Sequence, residues 1–215
     1  MKVALIGASG FVGKAVLKEL LQRGHQVIAV VRDINNLSPQ VGLTISEGNA
    51  TDEQTLAEIV KENDAVISAF NAGWTNPNLY EDFLAGSRAI QAGVKKSGVK
   101  RLLVVGGAGS LFIDGVQIVD SPDFPDQWKP GATAARDYLN ELKKETDLDW
   151  VFVSPAIEMH PGTSGIRKGI YRTNEDQPVF DEKGKSVISV EDLAVAIVDE
   201  IEQPKHSRQR FTAAY

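Results

Sequence analysis

Short apolar runs alternate along this chain with longer segments whose apolar positions recur every three or four residues. The first run, Val3-Ala4-Leu5-Ile6, enters Gly7-Ala8-Ser9-Gly10-Phe11-Val12-Gly13 and then an amphipathic segment ending at Arg23-Gly24. This pattern predicts a strand, a tight turn and a helix. Residues 26–31 predict a buried second strand ending at Arg32-Asp33, and 43–46 a short third strand. Thr51 with Gln54 three positions on has the form of a capping box, and Leu56, Ile59 and Val60 make the apolar stripe of the helix behind it. A fourth strand is expected over 65–70. A loop with Gly73, Trp74 and Pro77 follows, then a long helix to about residue 97. Residues 100–105 read as a fifth strand running into Gly106-Gly107-Ala108-Gly109-Ser110, and 132–144 as a helix after a proline-rich loop. A sixth strand over 150–154 is stopped by Pro155. The final helix carries Leu193, Ala194, Ile197 and Ile201 on one face, and 211–213 closes the chain as a short strand.

Strands that alternate with helices at this spacing predict an α/β fold: a Rossmann-like, doubly wound parallel sheet with helices on both faces. Right-handed crossovers leave few topologies, and a ligand is expected across the carboxyl ends of the strands where strand order reverses. No linker divides the chain, so residues 1–215 read as one domain. The glycine- and proline-rich stretch 155–186 is expected to be a small lid on the substrate side.

The spacing of Gly7, Gly10 and Gly13, between a strand and a helix, suits a dinucleotide site. The first glycine lets the backbone turn, the second admits the pyrophosphate, and the third lets helix and strand pack closely. Ser9, Phe11 and Val12 complete that turn, and the helix start offers free N–H groups to phosphate. The end of the second strand reads the adenine ribose. A carboxylate there favours NAD and an arginine favours NADP. Arg32 follows the apolar run immediately, ahead of Asp33, so NADP(H) is expected over NAD(H). Asn49 and Ala50 are expected near the adenine, and Ala69 and Phe70 where the cofactor passes the fourth strand.

Composition narrows the classes. The 215 residues carry a net charge of −6, which argues against nucleic-acid or anionic-membrane partners held by net attraction. With no cysteine, disulfides, thiolate metal sites and a cysteine nucleophile are excluded. Three scattered histidines give no metal-ligand spacing. No leader pattern opens the chain and no apolar run reaches bilayer length, so a cytoplasmic protein with a small-molecule substrate is expected. Oligomeric state is left open.

The nicotinamide side offers weaker candidates. Glycine at 106 and 107 leaves room for a ligand, and Ser110 offers a hydroxyl. Tyr138 lies on the next helix, but position 142 is Leu142 and Lys143 is one residue too far round for a tyrosine–lysine proton relay, so Tyr138 reads as a helix-surface residue. His160 follows the sixth strand and could donate a proton or line the pocket. His25 and His206 read as surface residues. Trp74, Tyr80, Phe112 and Tyr171 are aromatics in or near loops, available to a flat pocket or to packing.

The 7–13 turn, Val31-Arg32, Gly48-Asn49-Ala50-Thr51-Asp52, Val153-Ser154-Pro155 and Ile188-Ser189-Val190-Glu191-Asp192-Leu193-Ala194 together resemble the atypical short-chain dehydrogenase/reductase superfamily. The likeness is to its NAD(P)H-binding, NmrA-like and biliverdin-reductase-B-like branch, often labelled NAD-dependent epimerase/dehydratase. It spans nearly the whole chain and implies a Rossmann-like fold with NADP(H) on the glycine turn. The chain has Asn49 where the family usually has aspartate, Ser154 where it has arginine, and no Tyr-x-x-x-Lys pair. Members without that pair include reductases of flavins or quinone-like acceptors and proteins that bind the dinucleotide as a signal. The expectation is an NADPH-dependent reductase of a small planar acceptor. A non-catalytic NADP(H) sensor is the alternative, and a sugar-nucleotide epimerase or dehydratase is less favoured.

Overall fold

The computed structural model describes residues 1–215. Eight strands form one sheet: β1 (Lys2–Ile6), β2 (Gln26–Val31), β3 (Leu43–Glu47), β4 (Ala65–Ser68), β5 (Arg101–Val105), β8 (Asp149–Pro155), β9 (Arg172–Asn174) and β10 (Gln209–Ala214). A separate hairpin pairs β6 (Phe112–Ile113) with β7 (Val116–Gln117). The helices are α1 (Phe11–Gln22), α2 (Glu53–Val60), α3 (Leu79–Ser97), α4 (Lys129–Leu142) and α5 (Val190–Glu202). Strand order is β3-β2-β1-β4-β5-β8-β10-β9. All pairs are parallel except the edge strand β9, which runs antiparallel to β10. The fold is Rossmann-like and α/β.

Both faces of the sheet are buried, so the strands are apolar almost throughout, and alternate residues serve different cores. Val3, Leu5, Leu103, Val105, Val151 and Val153 face α1 and α5; Ala4, Ile6, Leu102, Val104, Trp150 and Phe152 face α2, α3 and α4. The order of strands reverses between β1 and β4. The 7–13 turn leaves β1 at that point, on the carboxyl side of the sheet.

Local chemistry shifts several expected boundaries. The N-cap of α2 is Asp52, whose carboxylate accepts from the Gln54 and Thr55 amides; Thr51 instead donates to Asn49, so the capping box does not form. β4 stops at Ser68, two residues early. α4 starts at Lys129, because Pro130 fits the first helical turn, where no N–H is required. The hairpin and β9 are too short to leave a periodic signal.

The 155–186 stretch is strapped to the α1–α5 face. Arg167 forms a two-pronged pair with Glu19, at 2.8 and 2.7 Å. The Lys168 and Gly169 amides donate to Asp192, and the Tyr171 hydroxyl donates to Asp199. Val179 is buried in the core on that face.

Of the two histidines read as surface residues, one is buried and the other half-buried. His25 is buried, with its Nε2 2.8 Å from Glu202. His206 stacks on Phe211 and lies 2.7 Å from Glu200, which also pairs with the buried Arg101. In both cases the partner is a carboxylate on α5. No helix is long and apolar enough to cross a membrane. No group of three or more histidine, aspartate or glutamate side chains is placed to hold a metal ion.

Candidate dinucleotide site

The 7–13 turn is shaped by two steric demands. Gly7 has φ +78°, and a Cβ there would lie 2.5 Å from the carbonyl oxygen of Ala69. A Cβ on Gly13 would lie 2.0 Å from the Gly7 carbonyl oxygen. Neither contact is possible for a side chain, so the two glycines let β1, β4 and α1 converge. At Gly10 the constraint is milder, with 3.3 Å to the same carbonyl. The Gly10 amide donates to Gly7 at 3.0 Å, and Lys14 donates to Gly10 at 2.9 Å as the first bond of α1.

What this helix start lacks is equally specific. Gly10 supplies no side-chain cap and the first turn of α1 has no acidic residue. The amides of Phe11, Val12 and Gly13 therefore have no carbonyl of their own helix to bond. The hydroxyl of the half-buried Ser9 has no bond within the protein either. Free amides, a positive dipole end and no competing carboxylate make an anion cradle. These features fit the pyrophosphate of a dinucleotide.

Along the rim, Arg32 is exposed at the end of β2 and joins no ion pair. Its neighbour Asp33 is engaged: Oδ1 accepts from the amide and side chain of Asn35, capping a short turn. Asn49 is exposed, with Oδ1 accepting from the Thr51 amide and hydroxyl at 3.1 and 2.9 Å, which leaves only its NH2 group for a ligand. Ala50 is half-buried against the α3 side. Ala69 donates to Ile6 at 3.0 Å and borders Gly7. The Phe70 ring turns away from the rim into the space left by Gly86, with the Phe83 ring 6.1 Å off. Thus the 7–13 turn, Arg32, Asn49 and Ala69 share the carboxyl edge, while the Phe70 ring packs against α3.

The nicotinamide side differs more from expectation. A Cβ on Gly106 would fall 1.8 Å from the Phe152 ring, so this glycine makes room for a core phenylalanine and not for a ligand. Ser110 is 1% exposed. Its hydroxyl lies 3.2 Å from that of Ser154 and 3.1 Å from the Arg210 guanidinium. Arg210 also donates to the Ser110 carbonyl and to Asp176. Tyr138 is 1% exposed and donates to Gln91 at 3.3 Å, inside the α3–α4 core. Its surface assignment is therefore corrected. Burial first, then Glu141 and Glu145, push its phenol above the ordinary range. His160 is exposed beyond β8, with Nδ1 accepting from the Gly162 amide. Tyr80 and Tyr171 spend their hydroxyls on Asp137 and Asp199.

Arg210, Ser154 and Asp176 hold the 106–110 loop in place; Arg210 and Asp176 were not singled out from sequence, and Ser154 only as a departure from the family pattern. The available signal was alternation: Arg210 falls on a strand with the apolar Phe211 and Ala213 on its other face, so its guanidinium requires buried partners. The surface depression around Met1, Lys2, Gln26 and Asp64 lies at the amino ends of β1 and β2, at the opposite end of the sheet.

The model of an NAD(P)H-binding family matches residues 7–204. The chain belongs to that NAD(P)H-binding family. YwnB of Bacillus subtilis strain 168 is 38% identical over 215 residues, covering 99% of this chain and 97% of that protein. A solved structure from Bacteroides thetaiotaomicron, described as a candidate epimerase, is 46% identical with a TM-score of 0.91, covering 100% of this chain and 96% of that one. Another from Streptococcus pneumoniae, described as a candidate NADH-flavin reductase, is 35% identical with a TM-score of 0.86, covering 100% and 99%. Membership of the family makes a nicotinamide dinucleotide the cofactor of the fold.

Proposed function

We propose that this protein is an NADPH-dependent reductase that delivers hydride to a small planar acceptor such as a flavin or quinone. The observation that carries the reading is the contrast within the site: an open anion cradle beside side chains that are not free to do acid–base work. Ser9 and the amides of residues 11–13 are the groups to hold the pyrophosphate, with Gly7, Gly10 and Gly13 admitting it. Arg32 is unpaired while Asp33 is committed to its own turn, which supports a 2′-phosphate over a bare ribose. The Streptococcus pneumoniae neighbour carries NADH in its description, so the NADPH preference rests on Arg32 alone. Asn49 and Ala50 border the adenine, and Ala69 and the backbone of Phe70 border the ribose.

When bound, the nicotinamide supplies the hydride, and the acceptor gains a proton from water in the same reduction. The protein contributes position, worth several orders of magnitude in such reactions. No buried hydroxyl is called upon, since Ser110 and Tyr138 face the core. His160 can serve as a second proton source only as the imidazolium, with Nδ1 released from the Gly162 amide. Within 155–186, the first residues past β8, which leave it at the carboxyl edge, are the candidate lid; Arg167 to Tyr171 are tied to α1 and α5.

Purified protein mixed with NADPH and a panel of flavins, quinones and aldehydes tests the reading. Loss of NADPH absorbance with a flavin or quinone is the expected result. Tight NADPH binding with no oxidation above background would replace the reductase with a dinucleotide sensor.

A further inference from the structure

Two of the three tryptophans stand at the carboxyl rim of the sheet. Trp74 comes from the connection between β4 and α3, and Trp128 from the residue before α4. They are 54% and 44% exposed. Their rings meet edge to face, with centroids 5.1 Å apart and planes at 88°. Trp150, by contrast, is buried in the core. Half-exposed indoles forgo part of the stabilisation that burying a large apolar side chain returns, so a paired set held half out of the protein calls for an account.

The pair is built into the same piece of structure as the 106–110 loop. A Cβ on Gly131, in the first turn of α4, would lie 2.7 Å from the Trp74 ring, so glycine lets the indole rest on the helix. The next residue, Ala132, receives Gly109, whose Cβ would lie 3.0 Å from the alanine methyl; Ala135 does the same for Gly107 at 3.8 Å. The start of α4 thus carries the tryptophan pair and, within one further turn, the loop that ends β5. Both lie on the carboxyl side of the sheet, as does the 7–13 turn.

The surrounding charges are mostly negative. The approach to α4 bears Asp120, Asp123 and Asp126 against Lys129. Arg136 neutralises Asp120, while Asp123 and Asp126 join no ion pair. Along the approach from Asp120 to Lys129, the single cation is Lys129 itself.

We infer that Trp74 and Trp128 form the stacking shelf for the acceptor, and that the shelf reads a fused, uncharged aromatic ring system and no phosphate tail. The isoalloxazine of riboflavin has this chemistry: it is planar, electron-poor and suited to an electron-rich indole face. The choice of a redox-active ring rests on the reductase reading; the shelf itself rests on the two indoles and their setting.

The test is titration of the protein, saturated with NADP+ so that no turnover occurs, with riboflavin and with FMN. Tryptophan emission and flavin emission are both recorded for the wild type, Trp74→Ala, Trp128→Ala and Trp74→Phe. Saturable quenching of both emissions is expected in the wild type, with riboflavin bound at least as tightly as FMN. Each alanine variant should weaken riboflavin by about tenfold or more, Trp74→Phe by less, and NADP+ affinity should stay within about twofold. Riboflavin affinities unchanged in both alanine variants, absence of quenching in the wild type, or FMN bound about tenfold tighter than riboflavin would each overturn the shelf. The two readings fail separately. Flavin turnover indifferent to both tryptophans removes the shelf and keeps the reductase. Shelf binding without NADPH oxidation keeps the shelf and removes the reductase.

Discussion

The two ends of α1 are built on opposite plans. At its start there is no capping side chain, no acidic residue and a run of amides without partners. At its far end Glu19 and Arg23 are held from several directions. Glu19 is 4% exposed and pairs with both Arg23 and Arg167, while Arg23 reaches on to Asp199 and Glu202. His25 adds a further contact to Glu202. Arg23 also sits where a cation complements the helix dipole. The same helix is therefore anchored by side chains at one end and left receptive at the other. Stability and ligand binding are assigned to separate groups, so substitutions should separate them.

The largest effect is expected from Gly13→Val, which drives carbon into the Gly7 carbonyl. NADPH affinity by calorimetry should fall at least about a hundredfold, roughly 2.7 kcal/mol, with a stability loss of about 1–3 kcal/mol from overpacking. A variant that keeps its NADPH affinity would show that α1 and β1 need not approach this closely. Glu19→Ala is the converse. It leaves Arg167 without its partner and takes from Arg23 one of three carboxylates, and should cost about 1–2 kcal/mol in denaturant unfolding, with NADPH affinity unchanged. A parallel loss of affinity would mean that the two ends of the helix are coupled.

The pH dependence of that anchor has a definite sign. The bond from Arg167, opposed by burial and helped by Arg23, holds the Glu19 carboxyl below its ordinary value of 4.5. A depressed folded-state value means the stabilisation is complete above about pH 4.5 and is lost as pH falls through the lower one. Glu19→Gln should therefore flatten the acid limb of the stability curve and leave neutral-pH cofactor choice alone.

Arg32→Ala should weaken NADPH about tenfold or more, near 1.4 kcal/mol, with NADH almost unaffected and the melting temperature unmoved. Equal losses for both cofactors would remove Arg32 from the 2′-phosphate. The smallest effect is expected at Glu145, remote from both ends of α1. Burial works to raise its carboxyl, but the Asp147 amide, Lys95 and Gln91 outweigh it and bring it to about 2. Glu145→Gln should cost about 1 kcal/mol and show in melting curves between pH 2 and 4.5, without touching cofactor binding.

Much of this organisation was legible along the chain because it is local. Gly7, Gly10 and Gly13 act within a single strand–turn–helix unit, and Arg32 is placed by the end of one apolar run. His25 and Tyr138 were misread because their decisive neighbours are remote: Glu202 is 177 residues from His25, and Gln91 is 47 from Tyr138. Glycine at 106 looked like space for a ligand, yet the ring that fills it arrives from β8.

The sequence by itself determined the alternation of strands and helices, the glycine turn and the charge at the end of β2. Each is set by neighbours within a few residues, through backbone sterics and periodic burial. Only the tertiary structure decided which polar groups remain free. It paired Glu19 with Arg167, enclosed Ser110 beside Arg210, turned Phe70 into Gly86 and left Trp74 and Trp128 half in solvent. Those outcomes depend on what the sheet order and the helix packing bring together. Contacts between distant segments leave no trace in local spacing.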